Sequence, residues 1–182
     1  MRSPDDVHDE WLVLRCQSGD AEALAELVAR WQPRLVRHAA RLTGRKDAAN
    51  DVVQVTWMAI IRGLNGLDDP ACFRRWAYRI TGNKCADWVR ARQRDREHAA
   101  PLALEPIDRQ RSADDPSDDV ARLRDAMKQL SPDHRTVISL FYLDEMPLAE
   151  IAQVLSLPIG TVKSRLHYAR RELQTVLKGN QP

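Results

Sequence analysis

Between His98 and Ser117 the helical periodicity that marks the rest of the chain stops. Pro101, Pro106 and Pro116 each lack the backbone donor a helix needs, and Ser112-Ala-Asp-Asp115 offers no apolar face. A hydrophobic core cannot run through such a stretch, so residues 97–117 read as a flexible linker between two units, 1–96 and 118–182. On both sides apolar residues recur at helical spacing. Leu, Ala and Arg are frequent while Gly, Phe and Tyr are scarce, which favours helices over short aromatic strands. The expected fold class is all-α: two small helical domains joined by the linker, the second containing a helix-turn-helix. Fully extended at about 3.3 Å per residue, some 20 residues reach about 66 Å, enough for two domains to touch separate sites on one duplex.

Local signals divide the first unit. Trp11, Leu12 and Leu14 mark a short helix that closes near Ser18-Gly19, and Asp20 is placed to cap the next, whose stripe is Leu24, Leu27, Val28 and Trp31. Pro33 should kink or restart that helix, which continues through Leu35 and Leu42 to Thr43-Gly44. A third segment spans Asp47 to Leu64, a loop spans Asn65 to Pro70, and a long fourth segment carries Phe73, Trp76, Ala77, Ile80 and Trp88 to Arg96. In the second unit Val120, Leu123, Met127 and Leu130 share a face, Ser131-Pro132 starts a second helix, and Pro147 opens a third.

Charge is distributed rather than excessive. The formal net charge is only +2, yet eight Arg or Lys stand between Arg74 and Arg96 against Asp87 and Asp95. A second basic zone runs Lys163, Arg165, Arg170, Arg171 and Lys178, opposed only by Glu172, and the linker between the two zones is acidic. Either zone alone is equally a solvated helix face. The run Leu148-Ala-Glu-Ile-Ala-Gln-Val-Leu155, then Ser-Leu-Pro, then Ile159-Gly-Thr-Val-Lys-Ser-Arg-Leu166 is a helix-turn-helix pattern. On its second helix Val162, Leu166 and Ala169 fix the buried face, so Lys163, Ser164, His167 and Arg171 project away, with Thr161 and Tyr168 at the flanks. These side chains suit phosphates and base edges in a major groove.

The Glu-Ile-Ala and Ile-Gly-Thr-Val-Lys-Ser-Arg-Leu runs resemble region 4 of extracytoplasmic-function sigma factors of bacterial RNA polymerase. Asp51-Val-Val-Gln54 resembles the region 2 helix that grips the polymerase clamp, and Phe73-Arg-Arg-Trp-Ala-Tyr-Arg-Ile-Thr-Gly-Asn83 resembles the stretch that melts and reads the −10 element. The resemblance implies region 2 over 1–96 and region 4 over 118–182, with no region 3 domain between them. It implies that core RNA polymerase binds at Asp51 and Gln54, although Val55 stands where the family usually has Glu. It implies a −10 reader built from Asn65, Asp68, Arg74, Arg75, Trp76, Arg79, Asn83, Lys84 and Arg90, with a captured base near the Asn65 to Ala71 loop and Asn83. The −35 reader would be Thr161, Lys163, Ser164, His167, Tyr168 and Arg171. An anti-sigma partner is implied as well.

The residues themselves leave other readings open. The Asp47 to Leu64 helix, with Val52, Val53, Val55, Trp57, Met58, Ile60 and Ile61 around its axis, must be buried on several sides, which a central core helix also satisfies. Trp76 and Trp88 read first as core anchors, then as stacking platforms. A stand-alone regulator would need a ligand pocket or a dimer seam, and this short charged first domain suggests neither. No phosphate loop, nucleophile motif, HExxH or zinc-spaced Cys/His set is present, so neither catalysis nor a cofactor, metal or small-molecule substrate is expected. His8, His38, His98 and His134 read as surface or packing residues. Cys16, Cys72 and Cys85 read as reduced structural thiols. With no apolar run of about 18 residues and no signal sequence, a cytoplasmic protein without membrane insertion is expected.

Overall fold

The computed structural model describes residues 4–98 and 118–179, with side chains described over 4–95 and 119–179. Residues 99–117, most of the expected linker, lie outside the described residues. Among the described residues the main elements are eight α-helices, α1 Pro4–Gln17, α2 Ala21–Thr43, α3 Lys46–Gly63, α4 Phe73–His98, α5 Asp118–Gln129, α6 Pro132–Ile138, α7 Leu148–Leu155 and α8 Ile159–Gly179, joined by short turns that include 3-10 segments at Leu64–Gly66 and Pro70–Cys72 and a π-helical segment at Ser139–Leu143.

Local chemistry sets most of the ends. Asp20 caps α2 by accepting from the Glu22 and Ala23 amides, and its carboxylate also takes the Arg15 guanidinium. Gly44 closes α2 at φ 74°, a conformation glycine adopts without steric cost. Ser131 caps α6 ahead of Pro132 at the first helical position. Pro33 does not restart the helix: α2 runs through it without a break. Pro33 and Ala29, whose carbonyl the proline leaves without its helical donor, both lie on the exposed side of the helix, where such a group can be solvated, while Trp31 and Leu35 pack on the inner face.

In the first unit α1 to α4 enclose Leu12, Leu27, Trp31, Leu35, Val53, Ile60 and Phe73, all nearly inaccessible. Trp31 meets Phe73 and Tyr78 edge-on at 5.2 and 6.0 Å. In the second, Ile138, Leu140, Ile151, Val162 and Leu166 form the centre, and the Asp133–Arg165 ion pair (3.0 Å) ties α6 to α8. Of the expected α5 stripe, Met127 is buried, as is Leu130 just past the helix end, while Val120 and Leu123 are exposed; Ala126 is buried beside them. The two units pack against each other, α2 against α6 and α4 against α7, so their cores form one continuous cluster.

None of the three cysteines is in a disulfide among the described residues. Burial pushes the Cys85 thiol up to about 12, which leaves it protonated and inert at neutral pH. Among the described residues no helix is long and apolar enough to cross a membrane, and no group of three or more His, Cys, Asp or Glu is placed to hold a metal.

Candidate nucleic-acid interface

The helix-turn-helix is α7, the turn at Ser156 and α8. Ser156 sits at φ 54°, and its amide returns to the Ala152 and Gln153 carbonyls to close α7. That left-handed residue lets Pro158 start α8 within three residues. On α8, Val162, Leu166 and Ala169 are buried, while Lys163, Ser164, His167, Tyr168 and Arg171 are exposed and Thr161 is half-buried at the start. His167 and Tyr168 meet edge-on at 5.5 Å. Arg170 instead turns back over the Phe141 and Tyr142 rings, so its charge braces the domain from behind.

On α4 the basic side chains do not form one surface. Arg79, Asn83 and Arg90 are exposed along one ridge, spanning about 17 Å at 1.5 Å per residue. Arg90 pairs with Asp87 at 2.6 Å, and Lys84 is half-buried. Arg75 turns to the Cys72 sulfur, and Cys72 in turn donates to Asp69. Trp76 and Trp88 are half-buried against the core, Trp76 lying over Gly63. Both therefore act as packing residues here, with Arg92 over the Trp88 ring at 5.8 Å.

The loop ahead of α4 is held from a distance. Gln17, the last residue of α1, donates both amide hydrogens, to the carbonyls of Leu64 (2.9 Å) and Leu67 (2.8 Å). This leaves Asn65 and Asp68 exposed on a loop whose backbone is fixed. Nothing local in the sequence announces Gln17 as a loop anchor 47 and 50 residues from its partners.

Helix α3 is buried on one side only, through Val52, Val53, Thr56, Trp57 and Ile60. Its other side carries Asp51, the adjacent Gln54 and Val55, Met58 and Ile61, all exposed, with steps of three or four residues from Asp51 through Val55 and Met58 to Ile61. The expected burial on several sides is thus not met within the chain. An apolar strip edged by two polar residues faces outward.

The seam between the units contains a polar cluster that sequence reasoning missed. The Asp144 carboxylate takes Nδ1 of His38 (2.8 Å), the Arg41 guanidinium and the Tyr78 hydroxyl (3.2 Å), while Arg74 donates to the Asp144 carbonyl. An ionised carboxylate only accepts, so His38 Nδ1 carries its proton. Burial alone would raise the Asp144 carboxyl. The His38 hydrogen bond and the His38 and Arg41 charges outweigh it and hold the group below the ordinary aspartate value. Tyr78 is raised by burial and then by the Asp144 charge. A cavity of about 340 Å³ borders this cluster, lined from one unit by His38, Arg79 and Asn83 and from the other by Leu155, Ser156 and Arg165.

Comparison with known proteins places these surfaces in context. Residues 27–95 match the family model for sigma-70 region 2, and residues 121–173 match that for sigma-70 region 4. The chain is 30% identical over 177 residues to the extracytoplasmic-function RNA polymerase sigma factor SigW of Bacillus subtilis, covering 91% of this chain and 95% of the relative. It is 32% identical over 171 residues to SigE of Mycolicibacterium smegmatis, covering 88% of this chain but 65% of that longer protein. Among solved structures it resembles the sigma factor RpoE bound to the anti-sigma factor NepR from Bartonella quintana. There the TM-score is 0.72 at 25% identity, over 88% of this chain and all of that one.

Proposed function

Since this chain belongs to the extracytoplasmic-function group of RNA polymerase sigma factors, we propose how its surfaces divide the work of binding core polymerase and directing it to promoters. Residues 1–96 act as region 2, with the outward strip of α3, headed by Asp51 and Gln54, seated on polymerase. Asn65, Asp68, Arg79, Asn83, Lys84 and Arg90, together with Arg74 and Arg75 once released from their present partners, hold the −10 strand. Residues 118–182 act as region 4, with Thr161, Lys163, Ser164, His167, Tyr168 and Arg171 toward the −35 element. The chain performs no catalysis of its own and works in the cytoplasm. An anti-sigma protein restrains it, as NepR binds its sigma partner in the structural relative.

One observation carries this reading. On α8 the three residues that pack, Val162, Leu166 and Ala169, leave a continuous outer face of Lys, Ser, His, Tyr and Arg that no other part of the described chain covers. Selecting duplexes from a random library with the chain plus core RNA polymerase tests it. Two conserved blocks at a fixed separation, recovered only when both proteins are present, are expected. Recovery of a single palindromic site by the chain alone would instead favour a stand-alone regulator.

A further inference from the structure

We propose that His38, Arg41, Arg74 and Tyr78 form a seat for a backbone phosphate of promoter DNA, and that Asp144 occupies this seat in the packed arrangement as an internal stand-in for the phosphate. The inference rests on the sigma-factor reading above.

Its first support is the direction of every bond. The donors all belong to the first unit, two from α2 and two from α4, and every acceptor belongs to one residue of the second, Asp144. Three of the donors meet on the carboxylate, and Arg74 takes the main-chain carbonyl of the same residue with its Nε 3.8 Å from Glu150, so donors from two helices gather at a place their own unit leaves empty. When the units part, His38, 1% exposed here, and its three companions face solvent with nothing to bond. Convergent cationic and hydroxyl donors are what a phosphodiester oxygen requires.

The second support is that the seat is incompletely used. The Nε of Arg41 is buried without an acceptor among the described residues. A carboxylate offers two oxygens, whereas a backbone phosphate offers two charged oxygens and two ester oxygens in a tetrahedron, which can reach a donor that Asp144 leaves unmet. The third is the form of the segment that brings Asp144. Ser139–Leu143 is a π-helical turn, the Asp144 amide closes onto the Ser139 carbonyl, and Glu145 follows at φ 51°, a conformation that strains a residue with a side chain. The chain departs from its relaxed path at the point where it enters the seat.

Promoter binding has to vacate the seat. Elements about 25 base pairs apart are separated by roughly 85 Å along B-DNA at 3.4 Å per step. Here the −10 candidates Arg79 and Asn83 share the walls of one cavity with Arg165 of α8. The packed arrangement and a promoter-bound one are therefore exclusive. Asp144 and DNA compete, and the apparent DNA affinity is the intrinsic one multiplied by the fraction of chain in the open form.

The experiment uses the full chain, a labelled mixed-sequence single strand of 20 nucleotides and fluorescence anisotropy at several salt concentrations. A backbone contact needs no particular sequence. Asp144→Ala should bind about tenfold more tightly than wild type, because the internal competitor is gone. Adding Arg41→Gln to that variant should restore weak binding and lower the salt slope by about one. Circular dichroism checks folding, and Asp144→Asn, which keeps shape and removes charge, carries the same expectation at smaller size. Unchanged affinity in folded Asp144→Ala and Asp144→Asn, or tightening that survives Arg41→Gln with an unchanged slope, overturns the seat. Core polymerase binding is measured on the same samples. Wild type that binds polymerase while the Asp144 variants gain nothing refutes the seat alone, whereas wild type that never binds polymerase refutes the sigma reading on which it rests.

Discussion

Truncating Met58 and Ile61 together to Ala should separate polymerase binding from folding. They are 53% and 49% exposed on the outward strip of α3, so each has about half its surface left to bury on a partner. Complete burial of such side chains stabilises by about 1.5–3 kcal/mol, so the remaining half is worth about 1 kcal/mol each. Together the two truncations should weaken core polymerase binding by about 2 kcal/mol, roughly 30-fold. Folding loses a comparable area, but Ala is the better helix former, and a net loss of about 1–1.5 kcal/mol leaves a domain of ordinary stability folded. The assay is titration of labelled chain with core polymerase well below the melting temperature. The control is Val7→Ala with Leu14→Ala on α1, which are equally exposed at 54% and 53% and should leave the affinity unchanged. A folded Met58/Ile61 variant within twofold of wild type would refute the assignment of this strip.

On α8, alanine at Ser164 or His167 should cost about 1–3 kcal/mol on a selected −35 duplex and relax preference at one position, while Arg171→Ala should weaken all duplexes alike and lower the salt slope. Holoenzyme binding to matched and scrambled duplexes measures this, and uniform behaviour in all three would misplace the reading face. Asp144 has its pKa held below the ordinary value, so its contribution is complete above about pH 4 and lost as pH falls through the lower folded value. The melting difference between wild type and Asp144→Asn should accordingly stay constant from pH 7 to pH 5 and shrink only below about pH 4; decay between pH 7 and pH 5 would assign the titration to another group. Asp20→Ala removes the α2 cap and should cost about 1 kcal/mol by denaturant titration, with no loss contradicting the cap's role. Ser156→Gly relieves a left-handed residue and should raise stability by about 0.5 kcal/mol, whereas a lowered midpoint would show that the serine side chain matters there.

What was legible in the sequence was short in range. Asp20, Gly44 and Ser131-Pro132 announce helix ends because each cap acts on amides or carbonyls a few residues away. Val162, Leu166 and Ala169 announce the inner face of α8 because the helix buries one stripe, against α5, α6 and α7, and leaves the opposite face to solvent. The same rule could not divide the burial of α3 between core and exterior: Val52, Val53, Trp57 and Ile60 are buried within the chain, while Val55, Met58 and Ile61, equally apolar in sequence, are exposed. Pro33 does not restart α2, because the cost of a proline inside a helix depends on whether the freed carbonyl is on an exposed side, a fact of tertiary exposure. His38 and Asp144 carry no pattern at all: they lie 106 residues apart, on either side of a stretch that signals separation rather than contact.

The two amide hydrogens of Gln17 bear on where the first domain should be considered to begin. The sigma-70 region 2 match starts at residue 27, yet the loop ahead of α4 takes its shape from a side chain ten positions earlier. A fragment cut at the homology boundary would keep every residue proposed to touch the −10 strand and lose the splint that sets their loop. The family-model match and the mechanical support of the loop have different borders in this protein, and grafting its loop onto another scaffold would have to carry α1 along with it.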